Sequence, residues 1–266
     1  MLQPDRGLPM DDVAALGADL AAARHGRVTV PSRRGTRQAP SLDEAYELGR
    51  NLERARVSAG WLTAGWKLGF TNKALWSRLG LDSPFYARVY RETLCVGSVA
   101  ASELVQPRVE PEVVLGVEAD LSKEADAETI AASIEWVAAG LEVVQCHFDD
   151  WRMTPAEAVA DAGLHAALAI GRRTKVDDAE VRRLSTATCS LVCDGDLVAT
   201  GRGTDVLGGP FDALRWLVEA LPDGLKAGEV VSTGTLTQAF PIKPGQRWQH
   251  RLTAAVALEP VELEFT

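Results

Sequence analysis

The chain has 266 residues, 46% of them hydrophobic, and a formal net charge of −9 with a pI near 5.1. That size and apolar share permit a substantial core, while the acidic balance argues against nucleic acid as the main partner, which calls for a basic face. No apolar run is long enough to cross a bilayer and Met1–Arg6 lacks a signal-peptide pattern, so a cytoplasmic protein with no membrane partner is expected.

The N-terminal third reads as helix. Pro9–Ala23 has helical apolar spacing at Val13, Leu16 and Leu20. After a basic, proline-bounded loop at Pro31–Pro40, Ser41 and Glu44 form a capping box for a helix running to about Ser58. Asn72 is placed to cap a short helix to about Leu79, closed by Gly80. Strands are predicted at Gly65–Phe70, Glu112–Val117, Gly140–Cys146, Ala166–Ile170, Ala187–Cys193, Leu197–Arg202, Glu229–Ser232 and Arg251–Leu258. Asp194-Gly195 between two apolar runs signals a hairpin. Further helices are predicted at Ala125–Ala138, stopped by Gly140, at Thr154–Ala160 and at Pro210–Leu221. Strands and helices do not alternate regularly, so a β-rich α+β fold is expected rather than a doubly wound sheet. No linker or repeat interrupts the chain. Residues 1–266 are therefore read as one domain, with 1–62 a mainly helical N-terminal segment.

The acids of two predicted strands carry the chemistry. Glu110 and Glu112 flank Pro111, and residues i and i+2 of a strand share a face. Glu142 lies in an apolar run, Leu-Glu-Val-Val, where an unpaired carboxylate is costly. Brought together, the three make an oxygen-rich site suited to Mg²⁺ or Mn²⁺; taken singly, they read as a solvated strand face. The four cysteines show no disulfide framework or zinc spacing, and the four histidines show no ligand spacing.

In order, Gly65-Trp-Lys-Leu-Gly-Phe-Thr-Asn-Lys-Ala, Arg108-Val-Glu-Pro-Glu, Leu141-Glu-Val-Val, Asp149-Asp-Trp, Gly195-Asp-Leu-Val-Ala-Thr-Gly, Val206-Leu-Gly-Gly-Pro, Leu225-Lys-Ala-Gly-Glu, Thr233-Gly-Thr-Leu-Thr and Pro241-Ile-Lys-Pro-Gly resemble the hydratase/decarboxylase branch of the fumarylacetoacetate hydrolase superfamily. The resemblance covers about residues 41–266. It implies a mixed β-roll with peripheral helices, a homo-oligomer, and one Mg²⁺ or Mn²⁺ on Glu110, Glu112 and Glu142. It also implies an active-site Lys67 and a small 2-oxo acid substrate. Leu68, Thr235, Gln106 and Lys243 are the expected substrate contacts, with His147 and Asp82 as further candidates for the pocket.

Three departures accompany it. Many hydratases of this branch carry an acid where Phe85 stands, whereas decarboxylases often have an apolar residue there. An Ala-Asp-Asn-Ala-Ser motif reads Ala160-Asp-Ala-Gly-Leu, so Ala162 and Leu164 replace an amide and a hydroxyl. Cys146-His147 stands where Asp-Ser is usual. The expected function is a metal-dependent hydratase of a 2-hydroxy-2,4-dienoate or 2-oxo-alkenoate. A decarboxylase of a 4-oxalocrotonate-type diacid is the alternative. An acylpyruvate C–C hydrolase, for which His25 and Glu44 would supply the base, and a non-catalytic relative are further readings.

Overall fold

The valine-rich segment Arg108–Val117 and the segment Ile134–Val144 pair antiparallel over nearly their whole length, and the larger sheet is built outward from them. The computed structural model describes residues 10–73, 76–79 and 81–266. Across this sheet the order is Phe85–Tyr90, Thr63–Gly69, Val230–Thr235, Arg108–Val117, Ile134–Val144, His165–Ile170, Leu94–Cys95. Val230–Thr235 runs parallel to Thr63–Gly69 and antiparallel to Arg108–Val117, which makes the sheet mixed. A second sheet, ordered Asp196–Arg202, Thr188–Cys193, Arg247–Thr253, Val261–Phe265, Gly97–Val99, packs on the first. His250 joins them, its Nδ1 2.9 Å from the Gly140 carbonyl.

Alternation sorts the side chains of the central pair. Val109, Val113, Leu115, Leu141 and Val143 enter the main core with Leu191, Leu252, Leu263 and the Pro210–Ala220 helix. The other face carries Glu110, Glu112 and Glu142 at one end. Toward the other end Val89, Val114, Trp136, Ala138 and Val230 form an apolar cluster, which Leu168, the cross-strand partner of Glu142, extends to the acids. A fully buried Val or Leu contributes about 1.5–3 kcal/mol, so this apolar end helps to hold the sheet that carries the charged end. A third cluster seats the N-terminal helices Met10–Gly26 and Leu42–Ser58 through Leu16, Leu20, Ala45 and Leu48 on Phe85, Phe148, Val159 and Leu164. The predicted capping box is present, with Ser41 N donating to Glu44 Oε2 at 2.8 Å.

The predicted helix at Ala125–Ala138 is corrected. Helix covers only Ala127–Ala132, capped by Asp126, and Ile134 already begins a central strand. Ile134, Trp136 and Val137 suit a pleated buried surface, and pairing on both sides overrides the helical reading. Gly140 is therefore a strand residue rather than a helix stop. Phe85–Tyr90 and Val261–Phe265 are strands absent from the sequence prediction. Within Asn72–Leu79 the described helix is Trp76–Leu79, and the proposed Gly80 stop lies outside the described residues. Likewise Pro9 lies outside them, and the first helix begins at Met10.

Candidate metal centre and active site

Glu110 and Glu112 leave the same face of their strand, and Glu142 stands directly opposite Glu110 on the next. One carboxylate oxygen from each lies within 4.8 Å of the others. Glu112 and Glu142 are fully buried, while Glu110 is half-buried. Opposite Val113 the Val230–Thr235 strand slips register, since Ser232 faces Val114 while Thr235 faces Glu112. The slip frees the Gly234 N–H, which donates to Glu112 Oε2 at 3.0 Å beside the Ser232 hydroxyl at 2.5 Å. Gly234 sits at φ +108°, and a Cβ there would lie 2.1 Å from Thr71 Oγ1, so both backbone and space require glycine.

Lys67 reaches the cluster from the Thr63–Gly69 strand. Its buried ammonium donates to the Gly163 carbonyl at 3.0 Å and lies 3.2 Å from Glu142 Oε2. Burial alone would depress this lysine, but Glu142, Glu110 and Glu112 outweigh it and hold the ammonium above its usual pKa. Burial pushes Glu110 and Glu112 up to about 8, with Glu142 adding repulsion and Lys67 opposing it. Burial likewise raises Glu142.

His165 fixes the other side of Glu142. Its Nδ1 is 2.8 Å from Glu142 Oε1 and its Nε2 is 2.8 Å from Thr93 Oγ1. A bulge makes this possible: Val143 faces Ala167 while Val144 faces His165, so the step turns His165 onto the acid-bearing face. Burial, with Lys67 nearby, lowers His165 to about 3, so the imidazole is neutral. A neutral imidazole facing a carboxylate carries its proton on the near nitrogen.

The remaining predicted residues are dispersed. The Phe85 ring packs 5.4 Å from Lys67 Nζ and fills the position where an acid was weighed. Leu68 points into the main core, on the opposite side of its strand from Lys67. The Thr235 hydroxyl donates to the Thr237 carbonyl at 3.0 Å, closing its own turn. The Gln106 amide clamps the Cys146 and Phe148 carbonyls at 2.9 and 2.8 Å. His147 places Nδ1 2.8 Å from Asp161, which also pairs with Arg24. Lys243 and Asp82 are exposed; Asp82 borders a cavity of about 340 Å³ that also touches Phe70, Phe85 and Val159. Another cavity, of about 290 Å³, lies against the Leu42–Ser58 helix and Trp66 and includes none of the three glutamates. Charge and burial rather than volume therefore mark the centre. Ala162 and Leu164 adopt left-handed φ of 56° and 62°, and Gly163 between them supplies the carbonyl that holds Lys67. Glu44 belongs to its helix cap, and His25 is exposed at the end of the first helix.

The sequence reading did not single out His165, Ser232, Gly234 or Thr93. Their partners come from distant segments, and no spacing rule joins His165 to Glu142.

The donor set fits a hard divalent ion. Glu112 Oε1 is buried without a hydrogen-bond donor, and Glu142 Oε2 has only the Lys67 ammonium, 3.2 Å away, as a partner. Unpaired buried carboxylate oxygens are costly, and oxygen-only ligands select Mg²⁺-like ions over zinc.

A family model described as Fumarylacetoacetate (FAA) hydrolase C-terminal matches residues 92–260. A 2-keto-4-pentenoate hydratase from Dechloromonas aromatica is 30% identical over 237 residues, covering 86% of this chain and 88% of that protein. A 4-oxalocrotonate decarboxylase from Pseudomonas sp. strain CF600 is 25% identical over 248 residues, covering 91% and 93%. The solved 4-oxalocrotonate decarboxylase from Pseudomonas putida G7, complexed with magnesium and adipate, superposes with a TM-score of 0.89 at 24% identity, covering 98% of this chain and 100% of that one.

Proposed function

Because this chain belongs to the fumarylacetoacetate hydrolase family, we propose that it is a Mg²⁺- or Mn²⁺-dependent lyase that adds water to a small 2-hydroxy-2,4-dienoate or its 2-oxo-alkenoate tautomer. The observation that carries the reading is the convergence of Glu110, Glu112 and Glu142, with Glu112 Oε1 buried and lacking a donor. The family's named hydratases and a magnesium-bound structural neighbour support it.

Glu110, Glu112 and Glu142 would hold the ion. A divalent ion there supplies Lewis acidity toward the C1 carboxylate and C2 oxygen of a 2-oxo acid. Lys67 remains an ammonium, so it serves as a fixed positive donor rather than a base. It stands where negative charge grows on the substrate as the dienol and keto forms interconvert, and the Gly163 carbonyl and Glu142 fix its direction beforehand. His165 and Thr93 hold Glu142 on one side, while Ser232 and Gly234 hold Glu112 on the other. The Phe85 ring and burial keep water from Lys67.

Phe85 also favours a second reading, a decarboxylase of a 4-oxalocrotonate-type diacid, which needs no acid there to relay protons for water addition. The test is a turnover screen with Mg²⁺ against 2-hydroxy-2,4-dienoates and 4-oxalocrotonate, following water addition by NMR and released carbon dioxide separately. Metal-dependent hydration is the expected result. Carbon dioxide release without hydration supports the second reading, and absence of both metal binding and turnover overturns the lyase assignment.

A further inference from the structure

The cavity of about 290 Å³ against the Leu42–Ser58 helix has no part in the mechanism above. Its walls are largely aromatic. Tyr46 stacks on Tyr86 with ring centres 4.7 Å apart, Trp66 meets Tyr86 edge-on at 5.4 Å, and Tyr90 adds a fourth ring to the lining. The Trp66 Nε1 is a buried donor without an acceptor. On the helix side Gly49 leaves the wall bare, since a Cβ there would meet nothing within 4 Å. Glycine inside a helix is destabilising relative to alanine, and close packing does not explain this one. Its consequence is room in the cavity.

Four cations line the same space, and three of them have carboxylate partners. Arg88 pairs with Glu53 and Glu229 at 2.8 Å each, Arg50 with Glu47 at 2.8 Å, and Lys226 with Asp120 at 3.4 Å. Arg56 is left over. Its guanidinium carbon stands 4.7 Å from the centre of the Trp61 ring and 4.8 Å from that of Tyr90, and among the described residues it forms no ion pair. Burial holds its pKa below the usual arginine value, as expected of a partly desolvated cation without a carboxylate of its own. Asp161 acts on it, but Arg24 and His147 already hold that carboxylate. Asp223, the remaining acid of the lining, is exposed to water.

From this geometry we propose that the cavity is a ligand site, distinct from the three-glutamate centre, for a small aromatic carboxylate of single negative charge. The carboxylate pairs with Arg56, whose planar fork of donors matches two carboxylate oxygens. The ring packs among Tyr86, Tyr90 and Trp66 in the space that Gly49 leaves open. One uncompensated cation matches one anionic charge, and a second carboxylate on the ligand would meet Glu53, Glu229 and Asp223. The volume lies at the lower end of small-molecule sites, which begin at about 300 Å³, and so suits a single ring. Ala162 lines the cavity and its neighbour Gly163 holds Lys67, so the two sites share one turn but no ligand-binding side chain.

The experiment is calorimetric titration of the full chain, with and without Mg²⁺, using benzoate, acetate and benzyl alcohol. Benzoate is expected to bind with a Kd of about 1 mM or tighter. It should bind at least about 10-fold more tightly than acetate, which lacks the ring, or benzyl alcohol, which lacks the charge. Binding should not require Mg²⁺. Arg56→Gln removes the charge and Gly49→Leu fills the cavity, and each is expected to weaken benzoate by about 10-fold or more. Gly49→Leu favours the helix and leaves Arg56 in place, so it decides the matter should Arg56→Gln fail to fold, as checked by circular dichroism. Benzoate binding weaker than about 1 mM, equal affinity for either control compound, or binding that survives either folded variant overturns the proposal. Binding only in the presence of Mg²⁺ also overturns it, because it places the carboxylate on the three glutamates. The lyase reading is tested separately, by metal-dependent turnover.

Discussion

Lys67 Nζ and Glu142 Oε2 lie 3.2 Å apart although two strands separate the strands that carry them. Three strand spacings in a flat sheet amount to about 14 Å. Long side chains alone do not place that contact beside two further glutamates; the sheet has to curl around them. The apolar cluster of Val89, Val114, Trp136, Ala138, Leu168 and Val230 fills the rest of that face, reaching Glu142 through Leu168.

Replacing a glutamate of the cluster separates function from folding. Glu112→Gln is expected to reduce metal-dependent turnover by about 1,000-fold or more, since it removes a charged ligand. The protein should stay folded, because the amide is as neutral as the protonated Glu112 of the metal-free fold and its oxygen can still accept from Ser232 and Gly234. Calorimetry with Mg²⁺ and circular dichroism check the two halves. A variant that binds and turns over like the parent would rule out Glu112 as a ligand.

The raised carboxyls make stability and metal binding depend on pH. In the metal-free fold Glu110 and Glu112 keep their protons up to about 8, whereas their ordinary value is 4.5. Between those values the folded state binds more protons than the unfolded state, so metal-free stability falls as pH rises through this window. Metal must displace those protons, so its affinity weakens as pH drops below about 8. The gain in Tm on adding Mg²⁺ should therefore be larger at pH 9 than at pH 6. Calorimetry at pH 7 in two buffers of different ionisation enthalpy should show proton release, and identical heats would contradict the prediction.

His165 acts through Glu142. Removing the partner that orients a ligand commonly lowers metal affinity by about 10–100-fold, and His165→Ala is expected to fall in that range. Its effect should appear as weaker Mg²⁺ binding, with turnover partly recovered at high metal concentration. Unchanged affinity would assign the imidazole to packing alone.

Ala162 is strained by its backbone. A non-glycine residue with left-handed φ costs about 1–2 kcal/mol, and asparagine tolerates that region better than alanine. Ala162, at φ 56°, occupies the position where the family motif carries the amide. Ala162→Asn is expected to stabilise the protein by about 1 kcal/mol, as read by denaturant unfolding. A neutral or destabilising result would show that the turn at Asp161–Leu164 relaxes around alanine.

Local signals in the sequence determined a good part of this protein. The two-residue period placed Glu110 and Glu112 on one face, Ser41 and Glu44 marked a helix start, and ordered motifs pointed to the family. These are patterns within a few residues, where backbone geometry dictates direction. Tertiary structure decided the rest. The bulges opposite Val113 and at Val143–Val144 aim Gly234 and His165, and they exist only once strands distant in sequence have paired. The same pairing turned Ile134–Val144 from expected helix into central strand, and the curl of the sheet brought Lys67 to Glu142. Register and curvature belong to the whole sheet, so no single stretch of sequence encodes them.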